Sequence, residues 1–290
     1  MRFIVLGTAG WSPQSPEIAP ILEVIAKFGE VVLHDFTGEA DLSEVEADFV
    51  VVLGGDGAIL RAARQMENNQ RPVLAVNLGR LGFLAEFGPG EIATALRRIG
   101  QGDYRVTEHL MLVCQVSHNG QTIGQRLGLN EATVQTGPPY ALMEVDLYVD
   151  QEWVTTYRCD GLIISTPVGS TAHNLSAGGP ILRKDLQAFV ICPISPHTLS
   201  HRPVVDSADR LYEVVIVRAR GNPAAVVDGV IAAHLLVGDS VTIRRAPVTF
   251  KTVTFPDRGY YRTLREKLGW GGQLELAMMR RRQDPPELRR

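Results

Sequence analysis

The chain has 290 residues, with 29 Lys and Arg against 32 Asp and Glu, for a formal net charge of -3. That length allows two modest domains or one large one. A hydrophobic fraction of 45% with 21% charged residues excludes a disordered chain, which would be poorer in apolar groups and richer in net charge. The near-neutral balance gives no polybasic footprint for nucleic acid, and no run reaches the ~20 apolar residues of a membrane helix. Cys114, Cys159 and Cys192 lie far apart without a C-x-x-C pair, which argues against a disulfide framework and a cysteine-based zinc site. The start, MRFIVLGTAG, lacks the basic and long apolar segments of a signal peptide. The expectation is a soluble, reduced, cytoplasmic protein.

Along the first hundred residues, strand and helix signals alternate. Phe3 to Leu6 is a short apolar run ending in Gly7. Pro16-Glu17 opens a helix in which Ile18, Ile21, Leu22 and Ile25 recur at helical spacing. Val31 to Leu33 reads as a strand, and FVVVL at 49–53 as a strand buried on both faces. A helix over Ala58 to Met66, a strand over Val73 to Val76 and a helix over Glu91 to Ile99 follow. This order predicts parallel strands joined by crossovers, an α/β domain.

After Tyr104 the signals become short strands: Leu110–Val116, Glu144–Val149, Glu152–Thr156, Leu162–Ser165, Phe189–Cys192, Tyr212–Val217, Val226–Ile231 and Val241–Ile243. Turn residues such as Asn119-Gly120 and Gly238-Asp239 separate them, so a β-rich second domain is expected. A helix returns near Tyr261 to Leu268, and the Arg-rich tail with Pro285-Pro286 reads as frayed.

The sharpest chemical signal is GGDG at 54–57, between FVVVL and a helix. Glycines at the carboxyl end of a buried strand let the backbone approach phosphate, and the following helix N-terminus offers free N–H groups. The dinucleotide fingerprint G-x-G-x-x-G fails at Leu60, and Walker A fails because no lysine follows a glycine. Asp56 is the anomaly, since a carboxylate in a phosphate cradle repels its ligand unless it accepts a proton or holds a divalent cation. Its plainer role would be to cap the next helix.

A second signal is DGLIISTPVGSTAHNLSAGGPIL at 160–182, a strand entering a long segment of Gly, Ser and Thr. Its small residues permit close approach, and its hydroxyls suit ribose or diphosphate; the alternative is a flexible linker. Asn130-Glu131 interrupts two apolar stretches, and an amide beside a carboxylate suits adenine and sugar hydroxyls. His197 and His201 lack the glutamate of H-E-x-x-H.

Taken together, GGDG at 54–57, NLGRLGFL at 77–84, NE at 130–131, the 160–182 run, CPISPHTLSHRPVV at 192–205 and YRTLREKLGW at 261–270 resemble the NAD kinase family. GGDG alone is shared with lipid kinases and phosphofructokinases; the 160–182 run, in order with the others, is far more specific. The resemblance implies an α/β N-terminal domain plus a β-rich, all-β-sandwich C-terminal domain. By residue, that is 1–103, 104–257, a C-terminal helix over 258–272 returning to the first domain, and a tail over 273–290. It implies transfer of the ATP γ-phosphoryl to the adenosine-ribose 2′-hydroxyl of NAD, with Mg²⁺ accompanying ATP, in a homo-oligomer. Asp56 would accept the hydroxyl proton, and Gly57 and Arg61 would sit on the phosphate side. Asn130 and Glu131 would hold adenosine. Arg158, Asp160, Thr171, Ala172, His173, Asn174, Leu175 and Ser176 would line the dinucleotide site. The sequence departs from the family's usual GGDGT, TGSTAY and DGQ at Ala58, at Val168 and His173, and at Val230. The competing readings are a non-catalytic NAD(P)-binding protein and a lipid kinase.

Overall fold

The structure, a computed structural model, describes residues 1–270 except 80, 81, 86, 140, 199 and 258. The expected tail at 273–290 lies outside the described residues, as do the ends of the expected 258–272 helix. Strands β1 (Arg2–Gly7), β2 (Glu30–Asp35), β3 (Phe49–Leu53) and β4 (Val73–Val76) are parallel, in the order β2-β1-β3-β4. Alternation along β3 explains its continuous apolar sequence. Val50 and Val52 join the cluster formed with Ile59, Ala62, Ala63 and Met66 of α2 (Asp56–Met66). Phe49, Val51 and Leu53 join the opposite cluster with α1 (Ala19–Ala26) and α3 (Ile92–Gly100). A strand covered on both faces has no polar face to display.

The second half is a sandwich. Its first sheet holds β5 (Arg105–His118), β6 (Gln121–Gly128), β8 (Met143–Val149), β9 (Glu152–Cys159), β13 (Tyr212–Arg218) and β16 (Ser240–Thr254). The second, with strand order β12-β11-β10-β7-β14-β15, holds β7 (Glu131–Gln135), β10 (Gly161–Ser165), β11 (Ala188–Ile194), β12 (Val204–Ser207), β14 (Ala224–Val227) and β15 (Val230–His234). Between them lies one apolar core that includes Leu112, Val134, Leu147, Ile164, Phe189, Tyr212 and Ile243. The described helices are completed by α4 (His173–Ser176) and α5 (Tyr260–Leu268). No helix among the described residues is long and apolar enough to cross a membrane.

Two strand expectations are corrected. Val226–Ile231 is not one strand but the hairpin β14–β15, turned by Asp228 (φ 47°) and Gly229 (φ 77°). This is the backbone that Asp-Gly favours in a two-residue turn. Val241–Ile243 extends to Thr254, because β16 carries Pro247 in a register shift between Arg245 and Thr249 instead of ending there. That length has a consequence. The first half of β16 pairs with β13 inside the sandwich, and its second half runs parallel to β4 at Thr252 and Val73. One ten-stranded sheet therefore runs through both halves of the chain. Strands β6, β7 and β12 were not among the expected elements.

Candidate active site

Asp56 is the first residue of α2, and Gly55 is the cap. Its carboxylate does not cap its own helix. It reaches across to the loop after β4, where Oδ2 accepts the N–H of Phe83 at 2.8 Å, and Oδ1 accepts those of Leu84 at 3.1 Å and Ala85 at 3.4 Å. Gly82 makes this approach possible: a Cβ there would stand 2.0 Å from Oδ1. Lys184 fixes the same loop, donating from Nζ to the carbonyl of Phe83 at 2.8 Å. A carboxylate offers about four acceptor positions, so three N–H donors hold it in place and leave room on Oδ2 for one more partner. Lys267 of α5 lies close enough for its charge to be stabilised by Asp56, while burial lowers its pKa. Gly54, at φ 152°, turns the chain out of β3 against Ala58 and Thr8. At Gly55 and Gly57 a Cβ would meet nothing, so the cradle is open above the α2 N-terminus. Arg61 turns aside, its guanidinium donating to the carbonyl of Thr37 at 3.3 Å.

Behind the Asp56 loop, a cavity of about 300 Å³ is walled by Leu84, by β4, β5 and β16, and by Tyr260 and Thr263 of α5. Arg105, Arg183 and Lys184 also line it. The Tyr260 hydroxyl donates to the carbonyl of Leu182 at 3.0 Å, tying α5 to the end of the Gly-rich segment.

Asn130 and Glu131 are 9% and 8% exposed. Their position depends on Asp228 in the β14–β15 turn, whose carboxylate accepts the backbone N–H groups of Leu129, Asn130 and Glu131 at 2.8, 2.8 and 3.1 Å. Oε2 of Glu131 is buried with no hydrogen-bond partner among the described residues. Burial, followed by the neighbouring charge of Asp228, pushes the Glu131 carboxyl up to about 8, so near neutrality it is mostly a neutral acid, able to donate as well as accept. Burial also raises Asp228, against the pull of its N–H donors and of Arg64.

The Gly-rich segment is not a flexible linker. Its buried hydroxyls hold the chain to itself: Thr166 Oγ1 donates to the carbonyl of Leu129 at 2.6 Å, and Ser170 Oγ donates to that of Pro167 at 2.6 Å and accepts the N–H of Leu182 at 2.9 Å. Gly169 packs on the Asn130 backbone, where a Cβ would stand 2.1 Å from the carbonyl oxygen. Asn174, expected at the ligand, is fully buried, and its Nδ2 donates to the carbonyls of Ser170 and Pro180. Of the residues of this run expected at a ligand, only some keep accessible surface. Thr171, Ala172 and Leu175 are half-buried, and His173 and Ser176 are exposed. Ala58 and Val168, two of the departures, are both members of the apolar cluster under α2.

Arg158 and Asp160 stand elsewhere. Ser165, at one end of β10, pairs with Glu131. Asp160 precedes the other end, about 16 Å away along the strand. Both residues are exposed, and Arg158 pairs with Glu144 at 3.2 Å. Among the described residues no group of three His, Cys, Asp or Glu is placed to hold a metal ion.

The site therefore joins a carboxylate at a glycine cradle to a buried Asn-Glu pair through the Gly-rich segment. Comparison with known proteins shows the family of the chain. The model of the ATP-NAD kinase N-terminal domain matches residues 29–104, and that of the ATP-NAD kinase C-terminal domain matches residues 129–255. The chain belongs to the NAD kinase family. It is thereby an enzyme, a phosphotransferase. An NAD kinase of Rhodopirellula baltica is 49% identical over 278 residues, 96% of this chain and 89% of the relative. One of Geotalea daltonii is 40% identical, covering 81% of this chain and 83% of the relative. Among solved structures, an NAD kinase from Archaeoglobus fulgidus in complex with ATP superposes with a TM-score of 0.75 at 28% identity, over 92% of this chain and 98% of that one. Yeast NADH kinase complexed with NADH shares the fold, with a TM-score of 0.83 at 23% identity over 94% of this chain and 89% of that one. Three residues missing from the candidate set are Lys184, Asp228 and Lys267. Asp228 had a signal in its Asp-Gly turn, and Lys267 in the YRTLREKLGW match.

Proposed function

We propose that this chain transfers the γ-phosphoryl of ATP to the 2′-hydroxyl of the adenosine ribose of NAD, giving NADP, with Asp56 as the proton acceptor. The observation that carries the reading is the Asp56 carboxylate, fixed by three backbone N–H groups beside an open glycine cradle. Phosphoryl transfer depends on positioning and charge stabilisation more than on covalent help. Asp56 orients the hydroxyl and takes its proton on Oδ2. The α2 N-terminus, with the open sides of Gly55 and Gly57, receives phosphate oxygens. Lys267 adds a positive charge next to the reacting group. Asn130 and the neutral Glu131 hold adenosine by donating and accepting hydrogen bonds in a dry pocket, while Thr171, Ala172, His173, Leu175 and Ser176 offer the more open wall.

The residues fit a divalent cation, Mg²⁺ in this reading, that arrives with ATP rather than one caged by protein. Mg²⁺ is commonly held by substrate phosphates, waters and one or two carboxylates, and Asp56 has an acceptor position to spare. Such a cation would neutralise charge on the transferring phosphoryl group.

The two-domain division at 103/104 is proposed as a division of labour, with β16 joining the parts. The chain is read as acting in a homo-oligomer, and the exposure of Arg158 and Asp160, at the far end of β10 from Glu131, suits a dinucleotide site completed across a contact between copies.

The test is incubation with ATP, Mg²⁺ and NAD, with NADP as the product sought. Asp56→Asn is expected to lower kcat by about 10²–10⁴-fold and to leave NAD affinity within a few-fold. A variant close to wild-type kcat would remove Asp56 from this role.

A further inference from the structure

The far end of α2 carries a cluster that phosphoryl transfer does not use. Arg64 of α2, Arg126 of β6 and Arg244 of β16 line one groove of about 390 Å³, together with Asn68, Gln125 and a single acid, Glu67. Arg64 lies eight residues beyond Asp56, about 12 Å along the helix, so this groove is separate from the cradle. The chain as a whole is slightly acidic, which makes three guanidinium groups in a groove lined by one carboxylate, with the buried Asp228 also near Arg64, a local concentration of charge.

The ordinary reason for an arginine here covers only one of the three. Arg64 sits in the last turn of α2, where a cation suits the negative end of the helix dipole, and it also faces Asp228. Arg126 and Arg244 come from strands and have no helix end to neutralise. Arg126 donates from Nε to the carbonyl of Ile231 at 3.0 Å and lines the groove. Arg244 is exposed. Nη1 of Arg64 is buried with no hydrogen-bond partner among the described residues. Loss of water, together with the charges of Arg126 and Arg61, holds its guanidinium below the usual range against the opposing pull of Asp228.

An anion in the groove would lie beside the Arg64 guanidinium, whose charge burial leaves poorly solvated. Guanidinium forks match pairs of phosphate oxygens. The space is several times that of one water, ~30 Å³, so it admits more than a single small ion. We propose that this groove binds a di- or triphosphate group, free or carried by a nucleotide.

The test is calorimetric titration of the full chain with inorganic pyrophosphate, with NADP in excess to fill the Asp56 cleft, and in parallel with ATP and AMP. Pyrophosphate and ATP are expected to bind, and AMP far more weakly. Binding of pyrophosphate alone that Arg244→Ser weakens would assign the site to the free anion, and binding of both that Arg244→Ser weakens to the polyphosphate of a nucleotide. Arg126→Ser with Arg244→Ser should weaken binding by at least about a hundred-fold, each charge-assisted bond being worth ~1.5–3 kcal/mol. NADP formation at saturating substrate should stay unchanged. Arg244→Ser alone, at an exposed position, should weaken binding by about tenfold and guards against misfolding of the double variant. Absence of binding at millimolar pyrophosphate, or equal binding in wild type and both variants, overturns the proposal.

Discussion

Glu131→Gln isolates the effect of burying a carboxyl that carries its proton. Glutamine matches the neutral acid in shape but cannot ionise. In the wild type the carboxyl moves from 4.5 to about 8 on folding. Between those values the folded chain holds a proton that the unfolded chain has released, so stability falls as pH rises. The contribution is complete below about pH 4.5, is lost through the interval up to about 8, and is constant above it. A displacement of that size corresponds to on the order of 3–5 kcal/mol across the window. The assay is urea unfolding of both proteins at intervals from pH 5 to 9. The glutamine variant should gain on the wild type steadily up to about pH 8, after which the two curves should run parallel. NAD affinity of the variant should stay within a few-fold of wild type near pH 6, and Glu131→Ala should lose about ten- to a hundred-fold. Curves parallel over the whole range would refute the reasoning, because they would mean that Glu131 is ionised in the folded chain.

Asp228→Ala removes the acceptor for three buried N–H groups and should cost roughly 2–4 kcal/mol; a melting temperature equal to wild type would show those donors satisfied in another way. Gly82→Ala places a methyl group where the Asp56 carboxylate now lies, so kcat should fall with little change in secondary structure by circular dichroism. A normal kcat would mean that the carboxylate works from another position. Asp56→Asn and Asp160→Ala, each expected to be inactive alone, should recover part of the NADP-forming activity when refolded together, because a mixed oligomer contains some sites with both aspartates intact. No recovery from a demonstrably mixed oligomer would place Asp160 in the site of its own chain or outside any site.

The strands that the sequence made legible are those whose burial is uniform or strictly alternating. FVVVL at 49–53 and VLAV at 73–76 match their strands end to end because both faces are covered and every position demands an apolar residue. Strand β6 reads QTIGQRLG with one buried residue, Gly128, so periodicity had almost nothing to report. In β16, Arg244, Arg245 and Pro247 look like an ending. The register shift lets the proline sit without a ladder partner, and pairing with β5 resumes at Thr249. That pairing is made over more than a hundred residues of sequence, beyond the reach of a local pattern.

The same distinction governs the site. Asp56, Asn130 and Glu131 are visible because each is a polar residue that interrupts an apolar run, just after β3 or at the start of β7. What holds them is written elsewhere in the chain. The loop at 82–85 fixes Asp56 through its backbone, so Phe83, Leu84 and Ala85 contribute N–H groups that any residue but proline would supply. Asp228 fixes Asn130 and Glu131 from almost a hundred residues away. Conversely, Asn174 and Ser170 sit in the most conspicuous polar run of the sequence, and their side chains are turned inward. Polar residues in a tight buried loop are needed first to satisfy the loop's own carbonyls and N–H groups. A motif dense in Ser, Thr and Asn therefore announces a loop of fixed shape. Which of its side chains can reach a ligand depends on which keep accessible surface, and here Thr171, His173 and Ser176, which do, stand apart from Ser165, Thr166, Ser170 and Asn174, which have none.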